Sequence, residues 1–468
     1  MGDPAKLRLC RKLKYFKPVT PATPPSRASS SRGLAMNTKV QAPRGTADTL
    51  PADVWRWQAV EAIARRTAAT FNFKEIRTPV FEHTELFHRG VGEQTDIVTK
   101  ETFTFTDRGN ESLTLRPEGT AGVARAMIEQ GILNDQGARS KVYYIGPNFR
   151  YERPQKGRLR IHHQFGAEAF GIDAPEQDVE CVSLQLAFYS NCGLKDLQLR
   201  VNSLGDRDSK LRYRDALVAY LTPKAAQLSD DSRRRLETNP LRILDSKDPR
   251  DIAAAAGAPP ATESLSEKSR THFDRAVALL SAASIPFVID PALVRGFDYY
   301  TETLWEVTAS GLGSQNAVGG GGRYDNLVEH LGGRPTPGVG FGCGLERLLI
   351  ALESQGVKLL ENRPPLVWVV CQGDAAQPVA WKLLADLRAA GIAADADLTG
   401  RGVKAQFKLA DREGASHAIV IGDAEVADAS VVLKDMTAKT ETRVPRDEVV
   451  SMLVSDAGAA APGVIAGG

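Results

Sequence analysis

The chain has 468 residues, 42% hydrophobic and 25% charged, enough for about three domains of roughly 150 residues each and too apolar to stay unfolded throughout. No apolar run approaches the roughly 18 residues of a membrane span, so the expectation is a soluble protein without a membrane partner. The net charge of +2 hides an asymmetry: residues 1–40 hold nine Lys or Arg and one acid, net +8, which leaves the other 428 at net −6. Nucleic acid would have to be met by local basic patches, because the overall field does not attract phosphate.

The five cysteines (Cys10, Cys181, Cys192, Cys343, Cys371) include no C-x-x-C pair, which argues against a zinc ribbon or a disulfide framework and for a reducing, cytoplasmic compartment. Residues 1–40 read as a disordered basic extension. Import into an organelle through residues 1–35 is the minority reading, since Pro18, Pro21, Pro24 and Pro25 break an amphipathic leader helix. A translation start placed too far upstream of Met36 is the plainer one.

A first folded segment, 41–205, opens with helical spacing at Trp57, Val60, Ala64, Thr67 and Phe71. Short strand-like runs follow at 75–81, 102–106, 113–116, 142–152 and 162–172. The last two flank a basic loop with Arg153, Lys156, Arg158 and Arg160 and read as an antiparallel hairpin. Residues 206–285 read as a mainly helical insertion. The sheet resumes over 286–360, with a strand-like run at 287–307, the glycine run Gly319–Gly322, and a helix from Leu345 to Gln355 capped by Gly356. Past a Pro-rich linker, 361–455 alternates strand and helix as an α/β domain with a largely parallel sheet, and 456–468 reads as a disordered tail.

Several familiar sites are absent from the sequence: there is no Gly-Lys dipeptide for a Walker loop, no H-E-x-x-H and no G-x-S-x-G. What remains is an array of arginines, carboxylates and phenols on predicted strands. The period of two puts Arg150 and Glu152 on one face, and Gln164, Gly166 and Glu168 on one face of the partner strand. Gly166 then leaves room for a ligand, although a surface hairpin with cross-strand ion pairs would show the same pattern. In Glu118-Gly119-Thr120, Thr120 can be a helix N-cap and Glu118 a solvated carboxylate. Arg295 interrupts the strand-like run from Val294 to Tyr300, and burying it without an anion is costly. Arg347 sits in the first turn of a helix, where the dipole disfavours a cation and a bound anion would relieve it. His162 and His163 are adjacent, face opposite sides of a strand and so cannot share one metal.

These pieces, in this order over about residues 40–455, resemble the class II aminoacyl-tRNA synthetases, and specifically the histidyl-tRNA synthetase family. Arg77-Thr78-Pro79 with Phe81-Glu82, Phe149-Arg150-Tyr151-Glu152 through Gln164, and Gly338 to Arg347 are similar to the three class II motifs. Arg295-Gly296-Phe297-Asp298-Tyr299-Tyr300 and Gly321-Gly322-Arg323-Tyr324-Asp325 are similar to the two histidine-specific ones. The resemblance implies an α+β catalytic domain, an antiparallel sheet flanked by helices, with a helical insertion and a C-terminal anticodon-binding α/β domain. It implies a homodimer built on the first motif.

It further implies a histidine–tRNA ligase, which activates L-histidine with ATP and then charges tRNA(His). Arg150 and Arg295 would grip the α-phosphate, Arg347 would hold the γ-phosphate or adenine end, and Glu152 and His162 would complete the ATP site. His162 stands where class II enzymes often carry a phenylalanine that stacks on adenine, so an altered adenine contact is expected. Glu118, Thr120 and Gln164 would receive the α-amino group, with Glu168, Tyr299, Tyr300 and Tyr324 around the imidazole. Arg153, Gln155, Lys156 and Arg158 would meet the acceptor end of tRNA, and Lys404, Gln406 and Lys408 the anticodon arm, although residues 366–455 are net acidic. Mg²⁺ is expected with ATP, without a carboxylate pair that singles out its ligands.

Two other readings compete. A catalytically silent paralogue, such as the regulatory subunit of the first enzyme of histidine biosynthesis, would lack the terminal domain and the phosphate-gripping arginines. A synthetase for glycine, proline or threonine would make the segment Arg295 to Tyr300 accidental.

Overall fold

The structure is a computed structural model that describes residues 39–459 except 93, 94, 96, 136, 154, 156, 313–315 and 361–364. Residues 1–38 of the basic extension, residues 460–468 of the C-terminal tail, most of the linker and the candidate residue Lys156 therefore lie outside the described residues, whereas 456–459, expected to be disordered, continue the helix Val449–Ala459. The first helix, Pro51–Thr70, starts earlier than its apolar spacing predicts because Pro51 takes the first turn, where a missing N–H costs nothing. Ala59, Val60, Ile63, Ala64 and Ala68 form its buried stripe.

An eight-stranded sheet organises the region around it. Its order is Lys74–Glu75, Ser140–Phe149, Ile161–Phe170, Gly338–Gly344, Ala317–Arg323, Thr301–Ala309, Leu197–Ser203 and Phe287–Ile289. The central pairings are antiparallel, and only the two edge strands pair in parallel. The predicted run 75–81 is split at Pro79: Lys74–Glu75 joins this sheet, and Phe81–His83 joins a separate three-stranded sheet with Ser112–Leu115 and Phe103–Thr106.

The register gives the large sheet two unlike faces. On one, Phe165, Phe341 and Trp305 meet the helices Pro51–Thr70, Pro175–Asn191 and Leu345–Ser354 in an apolar cluster with Val60, Ile63, Phe188 and Leu348. The other carries Tyr144 opposite Gly166, Gly166 opposite Gly342, Gly340 opposite Glu168 and opposite Gly322, then Gly320 opposite Glu306 and Glu306 opposite Arg200. At one end of this face Val142, Tyr144 and Phe170 pack with Val123 and Met127 of the helix Thr120–Glu129, and the glycine-floored remainder is left to a cavity.

Between Ser203 and Phe287 the chain is helical: Arg207–Leu221, Asp230–Thr238, Pro249–Ala255 and Glu267–Ala282. Ser229 and Ser266 cap the second and fourth of these by accepting from Ser232 N and Ser269 N. The fourth packs Phe273 and Leu280 into the main apolar cluster. The C-terminal strands run in the order Ala393–Ala396, Leu366–Cys371, His417–Ile421, Ser430–Asp435 and Glu441–Pro445. Only the first two pairings are parallel. The expected largely parallel sheet is thus mixed, because Ser430–Pro445 closes its edge as an antiparallel hairpin.

Candidate active site

The glycine-floored face opens into a cavity of about 570 Å³, within the range of small-ligand sites. Arg150, Arg295 and Arg347 all line it, although nearly 200 residues separate the first from the last. Glu118, Thr120, Glu152, Arg158, His162, Gln164, Tyr299, Tyr300 and Tyr324 line it too.

Arg150 and Arg295 are each held through one part of the guanidinium. Strand Ser140–Phe149 ends just before Arg150, so Arg150 and Glu152 do not share a strand face as predicted; they lie in an irregular turn where Glu152 N donates to Arg150 O at 2.8 Å. Arg150 donates Nε to Pro117 O at 2.9 Å and stands 5.6 Å from the Phe297 ring, which stacks on Tyr299. The segment before Tyr300 is likewise a loop rather than a strand, since regular pairing begins only at Thr301. Arg295 lies on Gly320, where a Cβ would come within 2.9 Å of its Nη1. It donates to Glu306 at 3.0 Å, while its buried Nε has no hydrogen-bond partner among the described residues. Arg347 is the third residue of Leu345–Ser354, and burial together with nearby Arg158 pulls its guanidinium below the usual arginine range. A site that crowds cations in this way favours an anion.

The carboxylates divide. Glu118 is not solvated: it is 3% exposed, and its two oxygens accept from Thr120 N at 2.8 Å and Ala121 N at 2.7 Å. It is therefore Glu118, not Thr120, that caps helix Thr120–Glu129. Burial outweighs those bonds and raises its pKa. Glu168 is fully buried, receives Thr120 Oγ1 at 2.7 Å and bonds the Tyr324 hydroxyl. Burial pushes its pKa up to about 8 despite these two bonds and a longer one from the Tyr144 hydroxyl at 3.4 Å. Glu168 thus sits one layer behind the cavity wall, reached through Thr120 and Tyr324. Gly166 does not leave a void for a ligand, because the Tyr144 ring fills the space between Gly166 and Gly119. The space that glycine does release lies at Gly340 and Gly342, where any Cβ would overlap the Glu168 and Gln164 side chains.

Gln164 accepts from Asn148 Nδ2 at 2.9 Å, which orients its amide in the cavity. His162 faces the same space, and burial, then Arg150, His163 and Arg158, push its pKa down to about 3, so the ring is neutral. A neutral, buried imidazole is suited to stacking. His163 points away, receiving no ligand role: its backbone N and Nδ1 both reach Glu346, at 2.8 Å and 3.0 Å, and its ring meets the edge of Trp57.

The basic loop is a tight turn in which Gln155 and Arg158 exchange backbone hydrogen bonds, with Arg158 paired to Glu152 at 3.1 Å and Arg153 exposed. In the C-terminal domain Lys404 and Lys408 are exposed one turn apart on Val403–Arg412. Gln406 is not presented with them: it is buried, and its amide bonds Cys371 N, Cys371 O and Arg401 O, tying the helix to the end of a strand. Residues that sequence reasoning missed include Tyr144, Asn148, Arg200 and Glu306. Glu306 had a signal, an acid inside the otherwise buried strand Thr301–Ala309. No group of three metal-ligating side chains occurs among the described residues. Glu152 and Glu306 face the cavity already paired with arginines, a donor set that fits Mg²⁺ held mainly by phosphates and water.

Two family models match most of the chain. Residues 45–348 match the family model described as histidyl-tRNA synthetase, and residues 366–456 match one described as anticodon binding domain. A histidine–tRNA ligase of Thermosynechococcus vestitus is 49% identical over 412 residues, 88% of this chain and 96% of that protein. One of Moorella thermoacetica is 48% identical over 408 residues, 87% and 96%. The apo histidyl-tRNA synthetase of S. aureus superposes with a TM-score of 0.75 at 38% identity, covering 89% of this chain and all of that one. The chain is an aminoacyl-tRNA ligase and belongs to the histidyl-tRNA synthetase family.

Proposed function

We propose that the glycine-floored cavity is where histidine and ATP meet, and that the chain joins histidine to tRNA(His) in two steps through histidyl-adenylate. One observation supports this above all: Arg150, Arg295 and Arg347 converge on a single cavity beside Glu118, Thr120, Tyr300 and Tyr324. Attack of the histidine carboxylate on the α-phosphorus brings two anions together, and charge gathers on the non-bridging oxygens. Fixed guanidinium groups stabilise that charge without reorganising, and holding both substrates in one cavity removes the entropy of encounter.

In this reading Arg150 and Arg295 serve the α-phosphate, and Arg347 with Arg158 the outer phosphates, with Glu152 and the neutral His162 ring at the adenine side. Glu118 and Gln164 accept from the α-amino group, and Thr120 completes that end. Glu168, Tyr299, Tyr300 and Tyr324 receive the imidazole. The proton that Glu168 keeps up to about pH 8 gives the Glu168–Tyr324–Thr120 chain a donor to rearrange when a ring nitrogen arrives. Magnesium enters with the triphosphate and offsets part of its charge.

Arg153, Gln155, Lys156 and Arg158 are assigned to the acceptor end, and exposed Lys404 and Lys408 to the anticodon arm. A homodimer fits the exposed Phe81 and Phe105 of the three-stranded sheet, 47% and 43% accessible. The partition into 41–205, 206–285, 286–360 and 361–455 is the domain scheme we adopt. The test is histidine-dependent exchange of labelled pyrophosphate into ATP. Wild-type protein is expected to exchange with histidine and not with glycine, proline or threonine; no exchange with histidine overturns the proposal.

A further inference from the structure

The loop that bears Arg295, Tyr299 and Tyr300 separates two cavities. In front lies the 570 Å³ active-site cavity, and behind lies another of about 850 Å³ bounded by the helical segment. Val294, Arg295, Phe297 and Tyr299 line both, as does Arg242 of the helical segment. The stretch has no strand pairing; its rings Phe297, Tyr299 and Tyr300 pack on one another and into a buried cluster with Tyr324, while its backbone carbonyls meet the helical segment.

The helical segment holds its backbone. Lys210, on Arg207–Leu221, donates Nζ to Asp298 O at 2.9 Å and to Tyr300 O at 3.0 Å, so one ammonium brackets Tyr299 and Tyr300. Arg242 donates Nη2 to Gly296 O at 2.9 Å, one peptide from Arg295. Asn239 donates Nδ2 to Asp298 Oδ1 at 2.9 Å. The same segment is anchored beside the loop by Tyr213, which packs with Leu293 and Leu304. Each of these donors meets an acceptor that water would otherwise have to satisfy, and two of the three bonds to backbone are charge-assisted through Lys210.

We infer that Lys210, Asn239 and Arg242 are positioning residues for histidine activation: the helical segment sets the catalytic loop by gripping its carbonyls. The inference rests on the proposed function of the front cavity. Lys210 acts through the two tyrosines, hence on histidine binding. Arg242 acts through Arg295, hence on the chemical step. Anything that shifts the helical segment then alters activation through the loop.

The experiment is pyrophosphate exchange by the full chain, with histidine and ATP varied separately. Lys210→Met is expected to raise KM for histidine about tenfold while KM for ATP stays within about threefold, and Lys210→Arg should restore part of the loss. Arg242→Met is expected to lower kcat about tenfold. Arg212→Met is the control, because Arg212 also bonds a carbonyl, Ser264 O at 2.9 Å, within the same segment and away from the loop; it should stay within twofold of wild type. Asn239→Ala removes one exposed bond and should raise KM for histidine about threefold, which keeps the test alive should Lys210→Met not fold. Amide hydrogen exchange should speed up over 292–300 in Lys210→Met and stay unchanged over 301–309. Variants within twofold of wild type, or equal losses in Arg212→Met, overturn the inference. Absence of histidine-dependent exchange by the wild type would instead sink the assignment of the front cavity.

Discussion

The two faces of the eight-stranded sheet each bury an arginine, and they treat it differently. On the helix-packed side Arg323 is fully buried and bonds Asp178 through two nitrogens, Asp325 at 3.1 Å and the carbonyls of Ile172 and Ala174. Asp178 is shared with His272 at 2.7 Å and, though buried, is held below the usual carboxylate range by Arg323 and His272. On the cavity side Arg295 meets one carboxylate, Glu306, which also serves Arg200, and its Nε has no partner among the described residues. A guanidinium whose donors are all matched locks helix to sheet. One left short of anions stores an electrostatic demand that a substrate can meet.

The comparison breaks most clearly under paired truncations. Arg323→Ala leaves Asp178 buried with only His272, and should cost about 3–5 kcal/mol, read as a drop in denaturant midpoint. Arg295→Ala removes an under-partnered charge, so stability should hold or rise, while exchange should fall about 10²- to 10³-fold. If Arg295→Ala unfolds the protein as Arg323→Ala does, the two faces are not different in kind.

Glu168 sharpens the same contrast through pH. Its folded pKa stands near 8 against an ordinary 4.5. Between those values the folded chain keeps a proton that the unfolded chain has lost, so rising pH draws the equilibrium toward the unfolded state. Burial of Glu168 is therefore tolerated fully below about pH 4.5 and becomes a growing penalty up to about pH 8, on the order of a few kcal/mol. Glu168→Gln carries no such term. Wild type should lose stability relative to the variant from pH 5 to pH 8 in chemical denaturation; parallel curves would show that Glu168 is ionised from the start. By contrast Asp178, held low by its partners, should make no difference across that range.

How much of this was legible follows from the same physics. Arg295 and Arg347 stood out because a cation in an apolar run or a helix first turn is costly, and cost is visible in one dimension; Arg150 stood out through its alternation with Glu152. Their convergence came from the resemblance, since no local pattern ties residue 150 to residue 347. Period-two alternation found the polar face of Gln164 and Glu168, but it could not tell that Tyr144 would occupy the space over Gly166. That depends on which residue stands opposite in the register. Arg323 and Arg295 look alike in sequence, each next to a glycine, and only the position of Asp178 on a helix separates structure from function. The antiparallel hairpin Ser430–Pro445 was missed because the βα alternation before it set an expectation of parallel pairing.

The smallest expected effect lies on the C-terminal helix Val403–Arg412, where neighbouring residues part ways. Lys404 and Lys408 point outward, while Gln406 turns in to satisfy both backbone groups of Cys371. Reversing the two lysines together, Lys404→Glu with Lys408→Glu, should leave pyrophosphate exchange unchanged, because that reaction needs no tRNA. It should lower kcat/KM for aminoacylation several-fold at low salt, and the difference should shrink as salt rises and screens the contacts. Gln406→Ala should act the other way round, since it leaves two buried backbone groups unmatched at about 1–3 kcal/mol without removing any charge from the surface. Its aminoacylation defect, if any, should therefore be insensitive to salt. A salt-dependent defect in Gln406→Ala would mean that the amide reaches RNA after all, by releasing Cys371 when tRNA binds.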